Sequence, residues 1–431
     1  MNIAVAILIV GFIIFIHELG HFLLAKANGV TVTEFSIGMG PRIASFNKNG
    51  TRYSLKLLPL GGSCMMLGED EAINDEGSFN SKGVWARFSI IVAGAVFNFI
   101  LALFLSLIVI SASGVDMPRL SGVDEGSPAA QAGLQKGDLI TKVYGKTINF
   151  SRELMYNFYF NPITEKPVEV KYLREGKEYE ATMTPYQVTR YLLGCSYTPA
   201  ENEAAKLIEI SPDYPLEKAG LVVGDIITGI NGTTINSGKE LSDYLDANPM
   251  TGEVMNITYS HEDVEHTASI VPELYTSEYQ LGWYYSFASE KLSPLNVIGY
   301  SFKELKFNIV NTVKSVGFLI TGKVGMDEIS GPVGIVNMVG DVVEQTSEYG
   351  IATTLLSLAQ FTILISANLG VMNLLPIPAL DGGRLVFIII EGIRRKPIPK
   401  DKEAVVHLIG MAALMLLMVF VLFNDIRNIF G

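Results

Sequence analysis

The run Ile13-Ile14-Phe15-Ile16-His17-Glu18-Leu19-Gly20-His21-Phe22-Leu23-Leu24 sets two imidazoles and a carboxylate inside an otherwise apolar segment. From Ile3 to Ile16 the chain carries no charge and is almost wholly apolar, and a further apolar turn follows the run. The segment is therefore long enough to span a bilayer as a helix. His17 and His21 are i and i+4, so they share one helical face, as two zinc ligands from one helix must. Glu18 lies beside them. In an H-E-x-x-H arrangement the histidines hold Zn²⁺ and the glutamate takes a proton from water that the metal acidifies. An ionisable residue at membrane depth costs about 3 kcal/mol on insertion scales and is usually kept for function. The blander readings are residues snorkelling at a helix end or a histidine pair satisfied by neighbouring helices. A soluble fold leaves so many uncharged N-terminal residues unexplained.

The 431 residues are 49% hydrophobic, with a mean hydropathy of +0.33. That is too apolar for an average soluble protein and too charged for an all-membrane one, which implies spans around a soluble insert. A formal charge of −12, without a basic patch interleaved with aromatics, argues against nucleic acid as a partner. No basic segment precedes the first apolar run, so it is expected to remain in the mature chain. The cysteines, Cys64 and Cys195, are expected on opposite sides of the membrane and so unable to pair.

Residues 1–27 form the first expected span. Residues 28–83 are polar and carry Lys26 at their border and then Arg42, Lys48, Arg52, Lys56 and Lys82, which marks the cytoplasmic side. The extreme N-terminus lacks Lys and Arg and is expected outside. His17 lies roughly 20 Å along the helix from residue 3, toward the cytoplasmic half of the bilayer. Within 28–83, Thr51 to Leu57 alternate polar and apolar residues before Pro59 and Gly61-Gly62, which reads as a β-hairpin with an unpaired edge. Such an edge, with Tyr53, Leu55 and Leu57, can take up an extended peptide by strand addition or serve packing alone. A second span occupies 84–112. Gly94 reads as a packing residue, and Asn98, four residues on, either packs or lines the site.

The insert contains a repeat. Pro128, Ala132, Gly133, Leu134, Gly137, Asp138, Ile140 and Thr141 recur as Pro215, Ala219, Gly220, Leu221, Gly224, Asp225, Ile227 and Thr228, each 87 positions later. Two copies of one small, mainly β domain are expected at 113–200 and 201–290. Their Ala-Gly-Leu-x-x-Gly-Asp-x-Ile pattern resembles PDZ domains attached to bacterial proteases. His261 and His266, on a probable hairpin, read as solvent-exposed.

Residues 291–350 hold an amphipathic helix, with Ile298, Phe302, Leu305, Ile309, Val313, Val316 and Ile320 on one side, expected at the outer membrane face or clamping the insert. A third span in 351–403 is broken by Pro376-Ile377-Pro378 and followed by Ala379-Leu380-Asp381-Gly382-Gly383. Unwound backbone at membrane depth is tolerated where it lines a cavity. Asp381 either caps the next helix or completes the metal set, and the histidine pair favours the second. Asn373 either holds a substrate strand or satisfies the break. Arg394, Arg395, Lys396, Lys400 and Lys402 place the following loop in the cytoplasm, and a fourth span in 404–431 ends outside. His407 at its start reads as interfacial.

Together, His17-Glu18-Leu19-Gly20-His21, Gly94-x-x-x-Asn98 and Asn373-Leu-Leu-Pro-Ile-Pro-Ala-Leu-Asp381-Gly resemble the site-2 protease family of M50 zinc metalloproteases, over nearly the full length. Phe35 to Pro41 and Ser330 to Ile335 match stretches seen in its bacterial branch. The resemblance implies a polytopic α-helical membrane protein with four transmembrane helices, a cytoplasmic-side β-hairpin and an extracytoplasmic insert of two tandem PDZ-like domains. It implies Zn²⁺ held by His17, His21 and Asp381, Glu18 as general base, and Asn373 and the Tyr53 to Leu67 hairpin as substrate-holding elements. The expected activity is intramembrane cleavage of single-span proteins, such as anti-sigma factors or signal-peptide remnants, already shortened by another protease. The expected location is the bacterial cytoplasmic membrane. The competing classes are a membrane-anchored peptide-binding module, which should have lost these residues, and a metal transporter, which predicts inverted repeats among the spans.

Overall fold

The computed structural model describes residues 2–69, 71, 73, 75–323, 325 and 331–430. Ser330 of the Ser330 to Ile335 stretch lies outside the described residues. The chain divides into two compact units, residues 1–116 with 288–431, and residues 117–287.

The first unit is built on helices α1 (Asn2–Ala27), α2 (Val84–Ser113), α3 (Pro294–Ile320), α4 (Pro332–Ser347), α5 (Ile351–Leu374), α6 (Asp381–Arg394) and α7 (Lys400–Phe430). Among the described residues four stretches, Ile3–Ala27, Val84–Ser113, Ile351–Leu374 and Asp401–Arg427, are long and apolar enough to cross a membrane. Helix α2 is central. It packs on α1 through Ala25, Ile90 and Ile91, and on α5 through Ala102, Val109, Ile363 and Ala367. Small residues at these contacts let the helix backbones approach closely, which is how apolar helices associate without a hydrophobic drive between them.

Helix α3 has the expected periodicity with its polarity reversed. Ser301, Glu304, Asn308 and Thr312 are buried, whereas Ile298, Phe302 and Val313 are exposed. The buried stripe faces α2 and α5, and its polar groups find partners there: Glu304 Oε1 accepts from Gln360 Nε2 (3.0 Å) and Asn308 Nδ2 (3.1 Å), and Thr312 donates to Asn368. A helix that is polar inward and apolar outward suits a lipid-facing position in a bundle, not a surface clamp. At the start of α4, Asp425 of α7 accepts from the backbone N–H groups of Gly331 (2.9 Å), Val333 (3.1 Å) and Gly334 (2.9 Å), so one buried carboxylate satisfies three donors of the helix end.

Between α1 and α2, strands β1 (Val32–Lys48) and β2 (Thr51–Met66) fold into a sheet of four segments. Residues 42–48 pair with 51–56 across the Asn49-Gly50 turn. Residues 34–37 pair with 52–55 on one side and with 62–65 on the other. Phe35 anchors this sheet to α1 by ring contacts with Phe15 (5.9 Å) and Phe22 (4.9 Å).

The second unit holds the two repeats. The core of the first (Leu120, Ala129, Leu134, Ile140, Val143, Leu154, Val170, Met183) recurs at the same 87-residue spacing in the second as Leu207, Leu216, Leu221, Ile227, Ile230, Leu241, Ile257 and Ile270. The closing strands are exchanged. Strand Cys195–Tyr197, which follows the first copy, pairs with Ala205–Ile210 of the second, and Trp283–Tyr285, which follows the second, pairs with Leu120–Val123 of the first. The same backbone bonds seal both exchanges, Leu216 N to Leu193 O (3.1 Å) and Ala129 N to Leu281 O (3.0 Å). The crossing arms Thr189–Leu192 and Glu273–Thr276 pair with each other. Cys64, in the first unit, and Cys195, in the second, are both free thiols.

Each copy buries one aspartate whose carboxylate accepts a backbone N–H, Asp138 from Gln135 (2.8 Å) and Asp225 from Val222 (2.9 Å). The counter-ion differs. Arg174 forks onto Asp138 with two bonds of 2.7 Å, whereas the equivalent residue 87 positions on is His261, 2.6 Å from Asp225. The Asp225 bond raises the His261 pKa above its ordinary 6.5, since it favours the imidazolium. The pair's contribution is then complete below pH 6.5 and is lost as pH rises through the higher folded-state value. We expect amide-exchange protection of the second copy to fall over that window while the first copy, held by a permanent cation, does not change. His261→Arg should abolish the difference.

Candidate metal centre

His17 and His21 project from α1 toward α2, both nearly buried. Asp381 is the first residue of α6, not its cap: Leu380 occupies the cap position without a side-chain bond. The Pro376 to Leu380 turn separates α5 from α6, as two prolines require. Gly382 and Gly383 let α6 begin against that turn, because a Cβ on either would meet a carbonyl oxygen, of Leu375 at 2.0 Å or of Ile377 at 2.6 Å. The turn is also held by Ala379 N–H donating to His407 Nδ1 of α7 (2.9 Å), so His407 is a structural tie and not a free interfacial group.

The three side chains converge. His17 Nε2 and His21 Nε2 lie 3.1 Å apart and 3.1 and 3.2 Å from Asp381 Oδ2. Tetrahedral zinc with ligands at about 2.0–2.1 Å places them roughly 3.3 Å from one another, so the spacing fits. The donor chemistry fits as well. His21 Nδ1 lies 2.9 Å from the Ile90 carbonyl, which can only accept, so Nδ1 carries the proton and neutral Nε2 presents a lone pair. Asp381 Oδ2 is buried without a hydrogen-bond partner of its own. Lone pairs aimed at one point from three sides repel unless a cation sits among them.

Asn98 supports His17. Its amide stands 3.3 Å from His17 Nδ1 with the nitrogen forward, leaving Oδ1 buried and unsatisfied. Turning the amide over resolves both features, since Oδ1 then accepts from Nδ1–H and His17 Nε2 is fixed as a donor to metal. Asn98 is fully buried. It therefore orients a ring and does not line a substrate path, which corrects the second sequence expectation for it. Gly94 is part of the site and not merely a packing residue: a Cβ there would lie 2.4 Å from His21 Nε2 and 2.7 Å from His17 Nε2.

The triad opens on a cavity of about 240 Å³ that also takes in Glu18, Gly62, Ser63, Cys64, Met66, Glu69 and Arg384. Gly62 to Met66 form the edge segment of the sheet, paired on one side only among the described residues. Of the sheet's two outer segments, 42–48 and the end of β2, the end of β2 is the one that borders the cavity. Tyr53 and Leu55 lie on an inner segment paired on both sides, Tyr53 with Phe35 and Phe46 and Leu55 with Ile37 and Ala44, and Leu57 is exposed outside the cavity. Asn373, half-buried in the last turn of α5, does not line it either. Gly62 signals its place in the sequence only as one of a glycine pair. Arg384 signals its place as a lone cation one turn after Asp381.

A model of peptidase family M50 matches residues 5–417. The chain belongs to peptidase family M50. It is 32% identical over 434 residues to the regulator of sigma-W protease RasP of Bacillus subtilis, covering 98% of both chains. It is 33% identical over 438 residues to the zinc metalloprotease RasP of Bacillus licheniformis, covering 100% of both. A putative zinc metalloprotease of Vibrio cholerae is 31% identical over 465 residues, with 99% of both covered. This M50 chain is accordingly a zinc metalloprotease of the site-2 type, in a multi-pass membrane protein.

Two substitutions probe the centre without touching a ligand. Gly94→Ala should abolish zinc retention, because the methyl fills the space between the imidazoles. Asn98→Ala should weaken zinc about 10- to 100-fold, as loss of an outer-shell partner does, with titration of the metal-free protein as the readout.

Proposed function

We propose that this M50 protease cleaves the membrane-spanning segment of single-span proteins, with His17, His21 and Asp381 holding the zinc and Glu18 as general base. The observation that carries the reading is the convergence of three metal-type donor atoms, with Glu18, in a cavity bordered by an unpaired strand edge between spanning-length helices. Zinc bound there supplies Lewis acidity, acidifying water and polarising a carbonyl. Glu18 takes the proton of the attacking water and delivers it to the departing amide nitrogen. His17 and His21 keep their Nε2 atoms directed inward through the Asn98 and Ile90 contacts. A helix hides its amides, so the substrate unwinds and adds as a strand to Gly62–Met66, which offers main-chain bonds beside the metal.

The basic residues of 28–83 and of the loop after α6 put the site toward the cytoplasmic side of the bacterial cytoplasmic membrane, with both termini and the insert outside. The two repeats, read as PDZ-like domains, screen substrates and admit those whose outer part another protease has removed. One curated relative is named a regulator of sigma-W protease, and an anti-sigma factor or signal-peptide remnant fits the substrate class here. A peptide-binding module without proteolysis leaves the convergent donor set unexplained.

The test is cleavage of single-span model substrates, with long and shortened outer segments, by purified protein. Glu18→Gln should retain zinc and lose about 10²- to 10⁴-fold in rate. Asp381→Ala should lose both zinc and activity. Zinc retained in Glu18→Gln with cleavage at the native rate removes Glu18 from the mechanism.

A further inference from the structure

Strand addition has a weakness as a way of presenting a peptide to a fixed metal. Main-chain bonds repeat every two residues, so a peptide can slide along an edge and still pair, and the scissile bond is defined only if the edge is fixed relative to the metal. The structure ties the edge at both ends. At its start, Gly62 lies against Glu18 of α1, where a Cβ would meet Glu18 Cγ at 3.1 Å. At its end the chain leaves Met66 through Leu67 and Gly68, and Glu69 forms an ion pair with Arg384 of α6. Arg384 stands one turn after Asp381 on the same helix, and both members line the cavity that holds the triad.

Among the described residues the loop is also held by Leu67 N to Thr31 O (2.9 Å) and Phe79 N to Leu67 O (2.7 Å). These bonds run to the residue before β1 and to the turn before α2, whereas the Glu69–Arg384 pair reaches the helix that carries Asp381. Arg384 is largely shielded, with its side chain 29% exposed and that of Glu69 16% exposed. Glu403 of α7 lines an adjoining cavity of about 390 Å³ together with both members of the pair. A guanidinium suits this junction because its fork fixes direction as well as charge.

We propose that the Glu69–Arg384 ion pair is a positioning device that locks the substrate-receiving strand to the zinc-bearing helix and so selects which peptide bond is cut. This rests on the protease reading above. Neither residue takes part in proton transfer or metal ligation; each acts through the edge strand. Loss of the pair leaves the metal in place and lets the edge shift against it, and a displacement of about 1 Å is enough to cost 10²-fold in rate.

The experiment uses the full chain in detergent or lipid, one single-span model substrate, mass spectrometry of the products and zinc analysis of every variant. Glu69→Gln and Arg384→Gln should keep zinc, lower kcat/KM by about 10- to 100-fold mainly through kcat, and spread cleavage over neighbouring bonds. Arg384→Lys should fall between these and the native chain. The exchanged pair Glu69→Arg with Arg384→Glu should recover part of the rate and narrow the cleavage pattern. Unchanged rate and cleavage position in the two Gln variants overturn the proposal, as does loss of zinc from both, which would make the pair a support of the metal instead. Failure of the native chain to cut any substrate counts against the protease reading itself.

Discussion

Three polar atoms, His17 Nε2, His21 Nε2 and Asp381 Oδ2, meet within about a water's width among apolar helices, and that meeting governs the first unit. A carboxylate at the centre of a spanning helix costs about 3 kcal/mol on insertion scales, and each buried imidazole adds to it. A bound zinc ion contributes about 10–16 kcal/mol where it has been measured in small sites, which exceeds that cost. The helices are arranged around this balance. α1 brings the histidines, α2 comes close enough only because Gly94 has no side chain, and α6 starts where it does because Gly382 and Gly383 fit under the proline turn.

Other polar groups follow the same logic of satisfaction in an apolar setting. The inward stripe of α3 is joined to α5 by Gln360 and Asn368, and the N-terminal amides of α4 are taken up by Asp425. Arg87 and Glu391 pair at 2.6 Å between α2 and α6. Each of these places a polar contact between helices, where it fixes mutual rotation, while apolar packing supplies area without direction. The result is a scaffold in which α1, α2, α5 and α6 hold the donor atoms from several sides.

The spanning helices and the three candidate ligands were legible in the sequence because they rest on local signals: long uncharged runs, an i, i+4 histidine pair, and two prolines that forbid a continuous helix. The repeat was legible because glycines and buried aliphatics recur at one spacing. What could not be read depends on contacts across the fold. Tyr53 and Leu55 alternate like an edge strand, but β1 doubles back and pairs on both sides of them, so the free edge beside the metal-type donors is Gly62–Met66. Gly94 looks like any small residue at a helix contact until the imidazoles are seen against it. Helix α3 has an amphipathic period that names two faces without saying which is inside, and in a membrane protein the usual assignment inverts.

The exchanged strands of the insert carry a consequence for how such a chain can change length. Each repeat is closed by a strand that follows the other, so the two copies form a ring of mutual dependence, and separating them at their midpoint leaves both open. Removal of one 87-residue period between equivalent positions behaves differently. It joins the start of the first copy to the tail of the second, and Leu120–Val123 and Trp283–Tyr285 already pair, so the shortened insert closes on itself as one complete domain. Insertion of one period reverses the step. The topology thus lets the insert gain or lose a domain in a single in-frame event.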